Sequence, residues 1–430
     1  MDGPRFDRTS RVVVVGAGQA ACQLATSLVE DGHSGPITLV GDEPYLPYSR
    51  PPLSKEYLSG KVDGEALNLR DGGFFAGSPT TLRHDRVVAV DRTERVVTTG
   101  QGEHLPYDAL VFATGAINRE LEALPSSTGG IVTLRTRADA DHIRECFTAV
   151  RRVVIVGAGF IGLEFAAFAA AAGRQVTVVE TGPRALGRAV TPEMAELIVK
   201  EQRAAGVEFR FSDTVIEHET ADGAVSAVTT ADGTRLPADL VVVAVGVLPE
   251  TDLAAGCGLT IDNGIVVDAG LRTADPRVFA IGDCARFPHQ SSGLALRLES
   301  VQNAVDQAKS VAATLHGRPG PYAAVAWFWS QQGTLKLQIA GVLAHVDDTV
   351  VRLDPTRGRH AVFAFAAGRL VAVETLNAAG VHLAARKLLA QGHSPTPQEA
   401  REPDFDLTAF AKRAPRPQAA PRTSALANSR

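Results

Sequence analysis

The chain has 430 residues, of which 45% are hydrophobic and 21% charged, and its formal net charge is −5. That length suffices for two or three domains with cores of their own, and the composition is the usual one of a globular protein in water. Because Lys and Arg are not in excess over Asp and Glu, the charge argues against a nucleic-acid-binding protein.

The cysteines argue against several further classes. Cys22, Cys146, Cys257 and Cys284 are far apart and form no CxxC pair, which disfavours a disulfide framework, a zinc ribbon and a CxxC redox centre, and we predict no metal site. The first ten residues contain no apolar signal core, so we expect a cytoplasmic protein.

The first predicted unit has the pattern strand, glycine-rich turn, helix, strand. Its segments are a β-branched run at 11–15, the turn GAGQAA at 16–21, a helix to about Asp31, a strand at 36–40 that ends at Gly41, Asp42 and Glu43, and a closing strand at 109–113 that leads to Thr114 and Gly115. Short strands with turn signals lie between the second and the closing strand. The pattern predicts one βαβ nucleotide-binding unit interrupted by an antiparallel meander.

A second unit repeats the first, and its glycine turn begins 141 residues later, at Gly157 rather than Gly16. Its segments are a strand at 153–156, the turn GAGFIG at 157–162, a helix to Gly173, a strand at 175–179 that ends at Glu180, and a closing strand at 240–245 that ends at Gly246. Residues 153–173 carry one charge, Glu164, and could be read as a membrane span, but the spaced glycines favour a buried strand, a turn and a helix. The sequence therefore predicts an α/β protein with two Rossmann-like dinucleotide-binding domains.

The chain then returns to the first domain before it begins a different one. We expect strands at 265–268 and 278–283 and a helix at 300–315 in the first domain, and strands at 335–341, 349–353, 361–366 and 369–375 with a helix at 383–389 in a small α+β domain. The predicted domains are 11–116 with 247–330, then 117–246, then 331–410, followed by a disordered tail at 411–430 that is rich in Pro, Ala and Arg.

Two glycine turns, each followed by an acid, indicate two dinucleotide sites. Such a turn lets backbone approach a pyrophosphate and directs helix N–H groups at it, while the acid accepts hydrogen bonds from ribose hydroxyls. Glu180 would repel a 2′-phosphate and favours NADH over NADPH, although Arg174, Arg184 and Arg188 could weaken that preference. In the first unit the acid is Asp42 or Glu43, and we favour Asp42.

A flavin and a nicotinamide account for two such sites, because a nicotinamide delivers a hydride whereas a flavin can return electrons singly. The Thr114-Gly115 pair and the segment FAIGDCA at 279–285 favour the first unit as the FAD site, with Asp283 on a ribityl hydroxyl. A helix cap is the alternative role for Asp283.

The sequence resembles the FAD-dependent ferredoxin reductases of bacterial oxygenase systems over about residues 11–389. The resemblance rests on GDEPYLPYSRPPLSK at 41–55, GAGFIGLE at 157–164, VFAIGDCA at 278–285, LESVQNA at 298–304 and WFWS at 327–330. It implies a glutathione-reductase-like arrangement with FAD in the first domain, NADH in the second, and a [2Fe–2S] ferredoxin that supplies a terminal oxygenase. A rubredoxin would fit the same surface.

Site residues follow from the turns and from the resemblance together. The candidates for FAD are Gly16, Gly18, Ala20, Asp42, Arg50, Lys55, Val87, Thr114, Arg135, Asp283 and Val301. Those for NADH are Gly157, Gly159, Phe160, Ile161, Gly162, Glu164, Glu180, Gly246 and Glu299.

Three of the implied residues are catalytic candidates. Lys55 would place a cation near the flavin N5 edge, and Glu164 would point to the nicotinamide pocket and could pair with it. A solvated surface lysine and a helix-dipole acid are the plainer interpretations. Trp329, which shares a strand face with Trp327, would lie by the flavin near the partner's docking surface, whereas core packing is equally reasonable for Trp327.

The sequence also departs from the family, and other functions remain open. Gln331-Gln332 stands where an acid is common, and residues 377–380 lack bulkier side chains, so the partner's identity is uncertain. The candidate basic rim is Arg286, Arg297, Arg318 and Lys336. One alternative is a disulfide, peroxide or oxygen reductase, which would need a redox cysteine beside the flavin. A second alternative is a non-enzymatic flavoprotein that senses redox state. A monomer and a homodimer are both compatible with the sequence.

Overall fold

The computed structural model describes residues 4–413, which form two compact units that divide between Leu337 and Gln338. The first unit contains two parallel sheets and the second an antiparallel sheet with helices. The α/β class predicted from the sequence is confirmed.

The first part of the chain builds one parallel sheet. Its elements are β1 (Val12–Val15), α1 (Gln19–Glu30), β2 (Ile37–Gly41), a 3₁₀ turn (Pro51–Ser54), α2 (Gly72–Gly77), β3 (Thr80–His84), β4 (Val87–Asp91), β5 (Val96–Thr99), β6 (His104–Pro106), β7 (Ala109–Phe112) and β8 (Ala116–Asn118). Strand β1, four consecutive valines that are all buried, lies between β2 and β7 with both pairings parallel. Strands β4, β5 and β6 form the predicted antiparallel meander.

The second copy repeats this arrangement. Its elements are β9 (Ile131–Val132), α3 (Arg137–Phe147), β10 (Arg152–Val156), α4 (Phe160–Ala171), β11 (Gln175–Glu180), α5 (Pro192–Ala204), β12 (Val207–Phe211), β13 (Val215–Ala221), β14 (Ala224–Thr230), β15 (Arg235–Pro237), β16 (Leu240–Val243) and β17 (Val247–Pro249). The parallel sheet has the order β12-β11-β10-β16-β9, and β13, β14 and β15 form the second meander.

The chain next returns to the first sheet. Its elements here are α6 (Asp252–Gly256), β18 (Ile265–Val266), β19 (Val278–Ala280), a 3₁₀ turn (Gly282–Cys284), β20 (Ala285–Pro288), β21 (Ala295–Leu296), α7 (Val301–Leu315) and β22 (Trp327–Gln332). Strand β19 pairs in parallel with β7, which gives the first sheet the order β19-β7-β1-β2-β3, and α7 packs on α1. The strand expected to reach residue 283 ends at Ala280, because the chain turns at Gly282, whose φ is +77°.

Strand β23 (Leu335–Gly341) runs across the division between the units. The second unit continues with β24 (Asp348–Asp354), β25 (Arg359–Ala366), β26 (Arg369–Leu376), α8 (Ala379–Gln391), α9 (Pro397–Arg401) and α10 (Leu407–Arg413). The predicted boundary of the disordered tail, residue 411, is wrong. Ala411 is buried in α10, which ends at Arg413 and packs on α8. The rest of that prediction, 414–430, lies outside the described residues.

The apolar segment at 153–173 is an interior strand and helix. Helix α4 contacts β10 and β11 on one side and β22 on another, so it is apolar nearly all round. Within residues 4–413, no helix combines the length and the apolar character that crossing a bilayer requires.

Candidate functional site

The first glycine turn lies between β1 and α1. Gly16 has φ +111°, and a Cβ there would lie 2.3 Å from the carbonyl oxygen of Ala113, so only glycine fits. A Cβ on Gly18 would meet no described atom within 4 Å, which leaves open space beside the backbone at the start of α1.

The second turn has the same geometry between β10 and α4. Gly157 has φ +105°, and its Cβ would lie 2.4 Å from the Ala244 carbonyl oxygen, while the Cβ of Gly162 would lie 2.2 Å from the Gly157 oxygen. Gly159 is open, because the nearest atom to its Cβ would be 3.9 Å away. In both copies the turn is therefore fixed by its first glycine and open at its second.

The helices that follow these turns present their N–H groups to that open space. Among the described side chains, none caps α1 or α4 through a hydrogen bond, and neither first turn contains an acid. Uncapped N–H groups at a helix N-terminus attract anions, because the helix dipole adds partial positive charge there. Both turns thus fit the pyrophosphate of a dinucleotide.

The acids after the second strands differ between the copies. The two carboxylate oxygens of Glu180 accept hydrogen bonds from the backbone N–H groups of Ala158 and Gly182, at 2.7 and 2.8 Å. Glu43 instead pairs with Arg50 at 2.6 Å and accepts from the Tyr48 hydroxyl at 2.5 Å, whereas Asp42 is exposed. This arrangement favours Asp42 over Glu43 as the ribose acid of the first turn.

Three predicted FAD residues come together at the first site. Arg50 donates to the Arg135 carbonyl oxygen at 2.7 Å, and the Arg135 guanidinium pairs with the Asp283 carboxylate at 3.1 Å. A Cβ on Gly282, next to Asp283, would lie 3.3 Å from that of Ala20. Asp283 is not the cap of the 3₁₀ turn that contains it, a position held by Ile281.

The other predicted residues are more dispersed. Thr114 donates its hydroxyl to the Glu250 carbonyl oxygen at 2.6 Å, Val87 is 7% exposed in a hydrophobic cluster, and Val301 begins α7. Three of the NADH candidates also lie apart. Gly246 is exposed, and an Arg188 nitrogen is 3.8 Å from where a Cβ on Gly246 would lie. Glu299 pairs with Arg297 at 2.6 Å, and Ile161 is 42% exposed on α4.

Lys55 and Glu164 form a buried ion pair between the copies. The Lys55 Nζ lies 2.5 Å from Glu164 Oε2 and donates to the Pro51 carbonyl oxygen at 2.9 Å. The side chains are 14% and 4% exposed. Ser54 donates its hydroxyl to the same Glu164 oxygen at 2.5 Å. The lysine is therefore not a solvated surface residue, and α4 of the second copy is tied to a loop of the first.

Strand β22 packs along α4 with alternate side chains. The Phe328 ring contacts that of Phe160 at a tilt of 38°, with centroids 4.3 Å apart, and Ser330 donates to Glu164 Oε1 at 2.7 Å. On the other face, the rings of Trp327 and Trp329 lie 5.4 Å apart, as their spacing predicted. The sequence-based candidates thus omitted Ser54, Ser330 and Phe328, although the alternation in WFWSQQ already separates Ser330 from the tryptophans.

The cysteines lack the properties of redox thiols. All four are free, and burial raises the pKa of Cys22 to about 11 and also raises the pKa of Cys284, which is completely buried. A thiol with a raised pKa is a poor nucleophile, since the thiolate is the reactive form.

Most of the candidate basic rim is already paired with acids. Arg286 pairs with Asp262, Arg297 with Glu299, and Arg318 with Asp31. Lys336 is exposed on β23. Three of the four residues are therefore partly neutralised.

Comparison with known proteins gives two family matches, to pyridine nucleotide-disulphide oxidoreductase over residues 10–308 and to the reductase C-terminal family over residues 327–411. Rhodocoxin reductase of Rhodococcus erythropolis is 45% identical, over 92% of this chain and 93% of its own. Rubredoxin-NAD(+) reductase of Pseudomonas putida is 36% identical, over 85% and 95%. The covalent putidaredoxin reductase–putidaredoxin complex contains a chain that matches with a TM-score of 0.91 at 36% identity, over 94% of this chain and 99% of that one.

Proposed function

The chain belongs to the pyridine nucleotide-disulphide oxidoreductase family, and we propose that it uses NADH and FAD to reduce a [2Fe–2S] ferredoxin that serves an oxygenase. The observation that carries this proposal is the buried Lys55–Glu164 pair, which ties the helix after the second glycine turn to a loop of the first copy. Burial raises the pKa of each of the four free cysteines, so none has the lowered pKa of a redox thiol. Enzymes of this family that reduce disulfides need such a thiol.

The first copy fits FAD through residues that surround its turn. The N–H groups at the start of α1 would hold the pyrophosphate, Asp42 the adenosine ribose, and Asp283 a ribityl hydroxyl. Arg50 and Arg135 lie beside each other at this site, paired with Glu43 and Asp283 respectively. Bound FAD would accept a hydride from NADH and release electrons one at a time.

The second copy fits NADH. The start of α4 would hold its pyrophosphate, and Glu180 would accept hydrogen bonds from the adenosine ribose and repel a 2′-phosphate. Arg184, a cation that could weaken this preference, donates to the Gly187 carbonyl oxygen of its own loop at 2.7 Å. The Glu180 carboxylate favours NADH over NADPH.

Lys55 and Trp329 complete the proposed active site. The Lys55 ammonium, fixed by Glu164 and the Pro51 carbonyl, would stabilise negative charge on the reduced flavin. Trp329, which contacts Trp327 with the two rings tilted and is partly exposed, is the proposed aromatic contact between the flavin and the surface where the partner docks.

A partner panel tests this function. The FAD-reconstituted protein is mixed with NADH, cytochrome c and, in turn, several [2Fe–2S] ferredoxins and rubredoxins. Cytochrome c reduction that depends on a ferredoxin is the expected result. Turnover with rubredoxin alone would assign the alternative partner, the one that the similar rubredoxin reductase is named for. Flavin reduction by NADH without transfer to any partner would refute the proposal.

The alternative hypothesis, that the protein is a disulfide, peroxide or oxygen reductase, has its own test. Replacing Cys22 and Cys284 with alanine should leave NADH-dependent ferredoxin reduction within about twofold of the parent, because buried thiols of raised pKa are not redox-active. A large loss of turnover in a variant that still binds FAD would revive that reading.

A further inference from the structure

A row of buried hydrogen-bond donors leads to Glu164 from the side opposite Lys55. Gln202 donates through Nε2 to Gln332 Oε1 at 3.1 Å, Gln332 donates through Nε2 to Ser330 Oγ at 3.3 Å, and Ser330 donates to Glu164 Oε1 at 2.7 Å. The four residues are between 0% and 5% exposed. They come from α4, α5 and β22, so three separate elements meet at one carboxylate.

The direction of this row follows from the chemistry of its ends. An ionised carboxylate only accepts, so the single hydroxyl proton of Ser330 must be given to Glu164, and its oxygen can then accept from Gln332. Gln202 also donates to the Leu163 carbonyl oxygen at 3.0 Å, which anchors the far end to α4. Hydrogen bonds aligned in this way polarise one another, so each is strengthened by its neighbours.

The two oxygens of Glu164 are thereby assigned different tasks. Oε2 accepts from Lys55 and Ser54, and within residues 4–413 the hydrogen-bond donor to Oε1 is Ser330. Without Ser330 the carboxylate could rotate away from Lys55, and one of its buried oxygens would lose its donor. Leaving a buried acceptor unpaired is unfavourable, particularly when it is charged.

We propose that Ser330, supported by Gln332 and Gln202, is a positioning residue that fixes the Glu164 carboxylate on Lys55 and so sets the reduction potential of the bound FAD. This inference rests on the proposed function, because it concerns the flavin that Lys55 would face. Donors to Glu164 offset its negative charge, and a less offset charge disfavours electrons on the flavin. Loss of the Ser330 hydroxyl should therefore make the potential more negative.

The test measures the FAD midpoint potential by equilibration with reference dyes in a graded series of variants. At a fixed solution potential, Ser330→Ala should lower the ratio of reduced to oxidised FAD by roughly tenfold, which is about 30 mV for a two-electron couple. Gln332→Met, which acts one hydrogen bond further from Glu164, should shift the potential less than Ser330→Ala does. Gln202→Met, one hydrogen bond further again, should shift it least. Ser330→Thr keeps the hydroxyl group, so its midpoint potential should equal that of the parent.

Ser10→Ala is the matched control. Ser10 is also buried and its hydroxyl also donates to a carboxylate, that of Asp7 at 3.3 Å, but it is not among the site residues. Ser10→Ala should leave the potential unchanged.

A second readout is kinetic. Ser330→Ala should slow flavin reduction while the KM for NADH stays within about twofold, because the nucleotide contacts are intact.

The outcomes separate the inference from the proposed function. A Ser330→Ala protein with the parental potential and rate would overturn the inference while ferredoxin reduction by the parent still supports the function. If Ser330→Ala does not fold, Gln332→Met decides, and a parental potential in that variant is equally fatal. A parent protein that binds no FAD would refute the function itself.

Discussion

The two glycine turns are the same device used for different ends. Both have a first glycine at positive φ and an open second glycine. The helices that follow differ in sequence, and one of the differing positions concerns the contact between the copies. Glu164 on α4 corresponds, 141 residues later, to Gln23 on α1. Gln23 donates to Ser27 of its own helix at 3.0 Å, whereas Glu164 reaches Lys55 in the first copy. The duplication supplies two glycine turns, and the Glu164 side chain of the second copy pairs with a lysine of the first copy.

The linking charge should give the largest effect. Replacing Lys55 with methionine leaves Glu164 as a buried, unpaired charge, so the free energy of unfolding should fall by about 3–5 kcal/mol. Adding Glu164→Gln, which gives α4 the residue type of α1, should recover most of that loss because no buried charge remains. Urea titration of the two variants and the parent, all in the same cofactor state, measures both values.

The exposed Arg11–Asp108 pair provides the control for this prediction. Its atoms lie 2.9 Å apart, but the Arg11 side chain is 47% exposed. Arg11→Met should cost no more than about 1 kcal/mol, as is usual for surface pairs. Equal losses in the Lys55 and Arg11 variants would show that burial does not distinguish the two pairs.

The open glycines should separate the two cofactors. Gly18→Ala places a methyl group where the first turn is open, so the fold should persist and FAD affinity should fall by roughly 10- to 100-fold, the effect of losing one hydrogen bond to a charged group, about 1.5–3 kcal/mol. Gly159→Ala should do the same to NADH and leave FAD binding unchanged. Fluorescence titration of each cofactor, with circular dichroism to check the fold, measures these effects. Weakening of both cofactors by either variant would contradict separate sites.

The acids that follow the second strands should give a smaller difference. Glu180→Ala removes a carboxylate that would repel a 2′-phosphate, so the ratio of kcat/KM for NADH to that for NADPH should fall by about tenfold, a change of about 1.4 kcal/mol. Asp42→Ala is the matched control in the other copy, and it should weaken FAD without altering the nucleotide preference. A preference that follows Asp42 rather than Glu180 would reverse the assignment of the two turns.

Local patterns in the sequence were sufficient for the turns, and the family resemblance suggested that Glu164 could pair with Lys55, but neither indicated the contact of Ser330 with Glu164. The turns need only neighbouring residues, and so do the strands and helices on either side. Ser330 lies 166 residues from Glu164, and its contact depends on how β22 packs along α4. The partners of Arg286, Arg297 and Arg318 are also set by tertiary packing. The basic rim was expected from the family resemblance despite the negative net charge, and these three of its four residues are paired with acids.

The helix ends offer the smallest test of the comparison. His33, near the end of α1, lies 3.1 Å from His316 and corresponds in the second copy to Arg174. Burial lowers the pKa of both histidines below the ordinary 6.5, although the Ser10 carbonyl opposes this at His33, as Asp31 does at His316. The unfolded chain then binds more protons than the folded one as the pH falls below about 6.5, so stability is complete above that pH and declines below it.

The two histidines can be removed to measure this decline. Between pH 8 and pH 5.5 the parent should lose about 1 kcal/mol more unfolding free energy than a His33→Gln, His316→Gln variant, the order of one pKa unit. Part of the loss should remain in the variant, because burial also lowers the pKa of His289. Urea unfolding at the two pH values measures it. A decline of equal size in parent and variant would place the acid sensitivity elsewhere. A smaller decline in the variant would assign that part of the sensitivity to the two histidines of the first copy, which have no histidine counterpart at Arg174 in the second copy.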